Sequence, residues 1–192
     1  GLAYQKVLAG SAEFPVQADV CYSYQTKAVT DLCIRTDSTK RVSGVCEVSG
    51  QKQVFNSGAP VHVTAAAESV GGKNKVLLTF NVKNIGTGGV FAAATTPDCE
   101  RGAFAKENHV LVNINTGLSG YAISCSGISI TDSTGSGNGI ITGDLRLSSG
   151  EGTFSCIQNT PAQDAVKKVD LKLTYNYLIS KSTKIAVKHL LQ

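Results

Sequence analysis

The 192-residue chain contains no Trp, no Met and only 4 Pro. Charge is also sparse: 18 Lys+Arg against 14 Asp+Glu leave a net +4, well short of the dense basic surface that nucleic-acid binding requires. Nucleic acid is therefore not an expected partner. No apolar run approaches the roughly 18–20 residues that span a bilayer as a helix, so no transmembrane segment is expected. No pair of cysteines has C-x-x-C spacing, which removes the main support for clustered zinc or thioredoxin-type readings. H-E-x-x-H, G-x-S-x-G and Walker motifs are missing as well, and neither an enzyme nor a cofactor is expected.

What is present is 42% apolar residues with 20 Gly and 6 Cys, the balance of a globular chain rather than a disordered or fibrous one. The cysteines, Cys21, Cys33, Cys46, Cys99, Cys125 and Cys156, are even in number and mostly lie in or beside β-rich stretches. Structural disulfides are the expectation, and with them an extracellular location. Three of the six precede residue 60 and three follow it, so complete internal pairing demands at least one bridge between the two parts. No spacing selects a connectivity. A chain that opens Gly1-Leu2-Ala3 without Met is expected to derive from a precursor, by removal of a secretion signal or a longer segment.

Period-two alternation recurs throughout, and helical periodicity is almost absent. In Val76–Lys83 the even positions are apolar. In Val169–Tyr177 the odd positions Val169, Leu171, Leu173, Tyr175 and Tyr177 share one face, opposite Asp170, Lys172, Thr174 and Asn176. Further strands are expected near 60–68, 108–114, 120–129, 139–147 and 151–157. Asn84–Gly89 reads as a turn with Val90–Ala93 returning from it, and Ser180-Lys181-Ser182-Thr183 as the turn of a C-terminal hairpin. The six lysines of Val166–Gln192 suit the outer face of such an edge hairpin.

The expected fold is all-β: an immunoglobulin-like antiparallel sandwich over residues 59–192, preceded by a small Cys-rich β meander over 15–58 that forms a lobe or extra strands on it. Strands at 15–24, 28–35 and 41–48 would make up that meander. Residues 1–14 read as a strand-like segment, apolar at Leu2, Tyr4, Val7, Leu8 and Phe14. An extended apolar terminus can complete the sheet of another subunit, and exchange that does not close generates a filament.

Other constellations have plainer readings. His62, His109 and His189 lie in or beside strands with no nucleophile or metal-ligand partner nearby in sequence. Asp132, Asn138 and Asp144 flank the glycine-rich stretch 133–139 and offer oxygens to Ca²⁺, but without the ligand order of an EF-hand. Ten asparagines are present, and none is followed by Ser or Thr two places on. Tyr22, Tyr24, Tyr175 and Tyr177 are the only paired aromatics that could stack on a sugar.

Cys21-Tyr22-Ser23-Tyr24-Gln25-Thr26-Lys27-Ala28 followed by Leu32-Cys33-Ile34 resembles a segment of archaeal surface proteins. Ala59–Thr64 leading into Phe80–Gly88 resembles the opening strands of immunoglobulin-like modules in archaeal envelope and adhesion-related proteins. The resemblance implies a secreted or cell-surface structural protein, a pilus- or thread-like subunit whose partner is itself. The chain departs from type IV pilins and archaellins in lacking their long apolar N-terminal helix, which favours strand exchange over helix-core assembly. A monomeric carbohydrate-binding or adhesive surface module, with a surface glycan as partner, is the alternative expectation.

Overall fold

The computed structural model describes residues 10–36 and 45–188. In chain order its strands are β1 (Ala12–Ile34), β2 (Gly50–Lys52), β3 (Val54–Asn56), β4 (Val61–Gly72), β5 (Lys75–Asn84) and β6 (Gly89–Ala92). Then follow β7 (His109–Asn115), β8 (Ile123–Ser126), β9 (Ser129–Asp132), β10 (Ile140–Arg146), β11 (Glu151–Asn159) and β12 (Ala165–Val187). The one helical element among the described residues is a 3-10 turn at Ser136–Asn138.

The strands form two antiparallel sheets. One runs β2-β4-β5-β11-β8, and the other runs β3-β1-β12-β7-β10-β9 with β6 also paired to β12. Alternation puts Val76, Leu78, Phe80 and Val82 of β5 inward, where all are buried. Phe154 of β11 lies directly opposite Phe80, their ring centroids 5.1 Å apart. From the other sheet Leu32, Ile34, Val112, Ile114, Leu145, Leu171 and Leu173 fill the space between. Burying each such side chain stabilises the fold by roughly 1.5–3 kcal/mol. The two layers are also joined by polar groups: the Thr26 hydroxyl of β1 donates to the Val61 carbonyl of β4 at 2.7 Å, and the Val61 N–H donates to Tyr175 Oη of β12 at 3.2 Å. The fold is an all-β immunoglobulin-like antiparallel sandwich.

Three disulfides cross this framework: Cys21–Cys99, Cys33–Cys46 and Cys125–Cys156. The first joins the N-terminal part of the chain to the part after residue 60. The third links directly opposed residues of β8 and β11.

Several local expectations are corrected. The hairpin at Ser180–Thr183 does not form: β12 runs straight through it, paired with β1 from Ile34↔Ala165 to Ala12↔Val187. Ser, Lys and Thr supply no positive-φ residue to drive a two-residue turn, whereas β1 supplies a full-length partner. The separate strands expected at 15–24 and 28–35 are one strand, because Thr26, Ala28, Thr30 and Leu32 keep the alternation unbroken on its buried face. Residues 45–48 of the third expected strand lie in no strand, and 41–44 fall outside the described residues. The segment after the Asn84–Gly89 turn does not return along β5 but crosses to the other sheet, where Gly89 pairs with Leu178. The expected 120–129 strand is divided by Gly127, at φ 83°, into β8 and β9.

Candidate functional site

The two longest strands outrun the sandwich. β7 accompanies β12 from Asp170 to Thr174 and β6 from Tyr175 to Leu178. Beyond Leu178, Ile179–Val187 pairs only with Ala12–Val20, and among the described residues no strand lies along the outer edge of either. At about 3.3 Å per residue this is a two-stranded arm roughly 30 Å long.

Register sorts its side chains. Ala12, Phe14, Val16, Ala18 and Val20 share a face with Val187, Ile185, Thr183, Lys181 and Ile179. That face continues the core side of the sheet, where Tyr22 and Tyr24 stand opposite Tyr177 and Tyr175. It extends past the covering sheet, and Val20 is 57% and Ile185 41% exposed. The opposite face is polar: Lys184 pairs with Glu13 at 3.4 Å, and Arg101 reaches Asp19 at 3.3 Å and the Ser180 hydroxyl. Hydrogen bonds from Ser180 and Gln17, with the Arg101 charge adding to them, hold the Asp19 carboxyl below the ordinary carboxylate range.

Arg101 belongs to a loop strapped across the base of the arm by Cys21–Cys99. Within it the Gly102 N–H donates to Glu107 Oε1 at 2.7 Å and Lys106 pairs with Asp98 at 2.6 Å, while Phe104 is 78% exposed. Where β6 begins and the arm departs, a cleft of about 460 Å³ opens among Thr87, Gly88, Gly89, Arg101, Glu107, Ile179, Ser180 and Lys181. Its wall is set by Asn84, whose side chain accepts from Gly86 N–H at 3.1 Å and donates to Gly88 C=O at 2.9 Å. Gly88 N–H in turn donates to Tyr177 Oη at 2.7 Å. A Cβ on Gly88 would lie 2.4 Å from the Leu178 carbonyl oxygen, so this close approach requires glycine.

Of the segment expected to mediate assembly, Leu2, Tyr4, Val7 and Leu8 lie outside the described residues, and Phe14 sits on the arm opposite Ile185. The tyrosines come together as a row at the arm's base, with Tyr24 and Tyr175 rings stacked at 6.0 Å. Tyr175 and Tyr177 are buried, so their ring faces are closed to a sugar, and the Tyr24 hydroxyl is engaged with the Gly58 carbonyl at 3.1 Å.

The other constellations do not converge. Asp132 accepts from Thr134, Asn138 from Ser119 and Gly120, and Asp144 contacts His109 Nδ1 on the neighbouring strand. His62 stands on β4 and His189 lies outside the described residues. Among the described residues no three His, Cys, Asp or Glu side chains gather as a metal site.

Sequence reasoning missed Glu68. On β4 it is 1% exposed, accepting from Cys33 N–H at 2.9 Å and Lys52 Nζ at 3.1 Å through Oε2, while Oε1 is buried without a partner. Burial raises its pKa to about 7, against the opposing pull of the Cys33 N–H and Lys52. The loop carrying Cys99 and Arg101 was missed too, since only the bridge to Cys21 reveals where it lies.

Comparison with known proteins finds no family model and no curated protein that matches the chain. Fold and covalent framework define the class: an all-β, disulfide-bonded two-sheet sandwich. No described helix is long and apolar enough to cross a membrane, and three disulfides are compatible with an extracellular protein.

Proposed function

We propose that this protein is an extracellular structural subunit of a cell-surface filament, assembled from copies of itself by strand exchange through its apolar N-terminal segment. The observation that carries this reading is the arm: two strands, nine residues each, continue beyond the sandwich, and among the described residues no further strand pairs with either. An unpaired strand edge is a template for another chain, and soluble proteins ordinarily shorten, cover or bulge such edges. Here the ribbon is long, one of its faces is apolar at Val16, Val20, Ile179 and Ile185, and Leu2, Tyr4, Val7 and Leu8 precede it in the sequence. Heterologous pairing of one copy's terminus with the next copy's edge repeats without closure and yields a thread.

Negative-stain electron microscopy of the unreduced, full-length protein tests this. Filaments of uniform width are expected, and a full-length variant with Leu2, Tyr4, Val7 and Leu8 all changed to Ser should remain as discrete particles. Discrete particles from the unmodified protein at every concentration would end the filament reading.

A further inference from the structure

We infer that Asn138 is a self-modifying site, where the backbone nitrogen of Gly139 displaces the side-chain amide and leaves a carboxylate that ties two loops together. The inference does not depend on how copies of the chain assemble.

The reaction needs a following residue that does not obstruct attack, a polarised carboxamide and an amide nitrogen free to leave. Asn138 is the one asparagine of ten that is followed by Gly, so no Cβ hinders the approach of the nitrogen to Cγ. The fold requires that glycine for its own reasons: Gly139 has φ 74°, and a Cβ on it would lie 2.2 Å from Thr116 Oγ1.

Polarisation comes from the loop that follows β7. The Ser119 hydroxyl donates to Asn138 Oδ1 at 3.0 Å, and the Gly120 N–H donates to the same oxygen at 3.1 Å. Two donors on one carbonyl oxygen draw electron density from Cγ and meet the negative charge that develops on Oδ1 as the nitrogen attacks. Among the described residues nothing holds Nδ2, and Asn138 is exposed, so the leaving group passes directly to water. Other asparagines differ in this respect. Asn56 Nδ2 donates to the Val63 carbonyl at 3.0 Å, Asn113 Nδ2 to Thr142 Oγ1 at 2.7 Å and Asn176 Nδ2 to the Ala92 carbonyl at 3.0 Å. The attacking nitrogen starts from a long bond, with Gly139 N–H donating to the Ser136 carbonyl at 3.3 Å at the end of the 3-10 turn.

The steps balance with water as the only co-reactant. Gly139 N gives its proton to solvent base and bonds to Cγ; the Cγ–Nδ2 bond breaks, ammonia leaves and a cyclic imide forms. Water opens the ring at either carbonyl. Opening at the backbone carbonyl leaves an isoaspartyl linkage, and opening at Cγ restores the peptide bond and leaves an aspartate at position 138. That carboxylate accepts from Ser119 and Gly120 in charge-assisted bonds, roughly twice as strong as the neutral ones. The net charge of +4 falls by one.

The test incubates full-length, unreduced protein at mildly alkaline pH in ¹⁸O-water, which marks conversion during incubation, and maps amide-to-acid conversion by peptide mass spectrometry. Labelled conversion at position 138 is expected in the folded protein, ahead of every other asparagine. Ser119→Ala, at an exposed position, should slow it about tenfold, less than the 10²–10³ that one donor supplies in an enclosed oxyanion hole. Conversion that occurs only after reduction and unfolding would show that the turn protects the amide, and overturns the site. Equal rates with and without the Ser119 hydroxyl overturn the role of the two donors. As a second readout, Asn138→Asp should raise the thermal midpoint by about 2–4 °C. An unchanged or lower midpoint overturns the tie between the loops.

Discussion

The backbone N–H of Cys33 donates to Glu68 Oε2 at 2.9 Å, so a carboxylate on one sheet holds the backbone of the other one residue from the sandwich's inner face. Among the described residues Glu68 is the only carboxylate in the group of largest fully buried side chains. Its second oxygen has no partner, and desolvation outweighs the Cys33 N–H and Lys52, leaving a pKa of about 7 in place of 4.5.

A folded-state pKa above the unfolded value means that protons favour the fold. The contribution is complete below the unfolded value of 4.5 and is lost as pH rises through about 7. At 1.36 kcal/mol per unit, the difference between acid and alkaline conditions is about 3 kcal/mol from this one group. Chemical denaturation should therefore show greater stability at pH 5 than at pH 8, and Glu68→Gln should flatten that rise. A stability curve for Glu68→Gln as steep as that of the unmodified protein would show that another group is responsible.

The Cys21–Cys99 bridge closes a sequence separation of 78 residues, and its loss should be costly for two reasons. Chain entropy alone assigns roughly 4 kcal/mol to a loop of this length, against about 3 kcal/mol for a short loop such as that of Cys33–Cys46. In addition, the bridge pins the strap that carries Arg101 to Asp19 and Ser180. Replacing Cys21 and Cys99 together by Ala should lower the thermal midpoint and expose Arg101 and Lys106 to trypsin under native conditions. If native trypsin cleavage there does not increase, Arg101 and the loop's own contacts hold the strap without the bridge.

Where burial and alternation coincide, the fold was legible in the sequence. Val76, Leu78, Phe80 and Val82, and Val169 through Tyr177 at odd positions, are buried as their pattern requires. The β1–β12 pairing was not legible, because its partners lie up to 175 positions apart, between Ala12 and Val187, and no local signal records which strands meet. Ser180–Thr183 looked like a turn only because polar residues occupy both faces of an exposed ribbon there. Glu68 was hidden by the irregularity between Val63 and Ala65, which shifts the inward register of β4 from Val61 and Val63 to Ala66 and Glu68. Unbroken alternation from Val61 would put Glu68 on the solvent face. The cleft beside Ile179 was not legible either, because it depends on where β6 leaves β12, which is a property of the assembled sheet.

Gly88 offers a direct check on the geometry of the cleft where β6 begins. A Cβ there meets the Leu178 carbonyl oxygen at 2.4 Å and Tyr177 ring atoms at 2.7 and 2.8 Å, and two of these neighbours are core-packed ring carbons that cannot swing aside. Gly88→Ala must therefore push β6 away from β12 or strain the Gly88–Tyr177 hydrogen bond, at a cost of about 1–3 kcal/mol. Gly58 is the matched control: a Cβ there has no heavy atom within 4 Å and its backbone is not in the left-handed region. Gly58→Ala should be neutral, or stabilising by about 0.4–1 kcal/mol through the unfolded chain. Thermal denaturation of the two variants side by side decides the matter. Equal midpoints would mean that β6 does not pack as closely on Leu178 as described, and the cleft beside Ile179 would have to be redrawn with it.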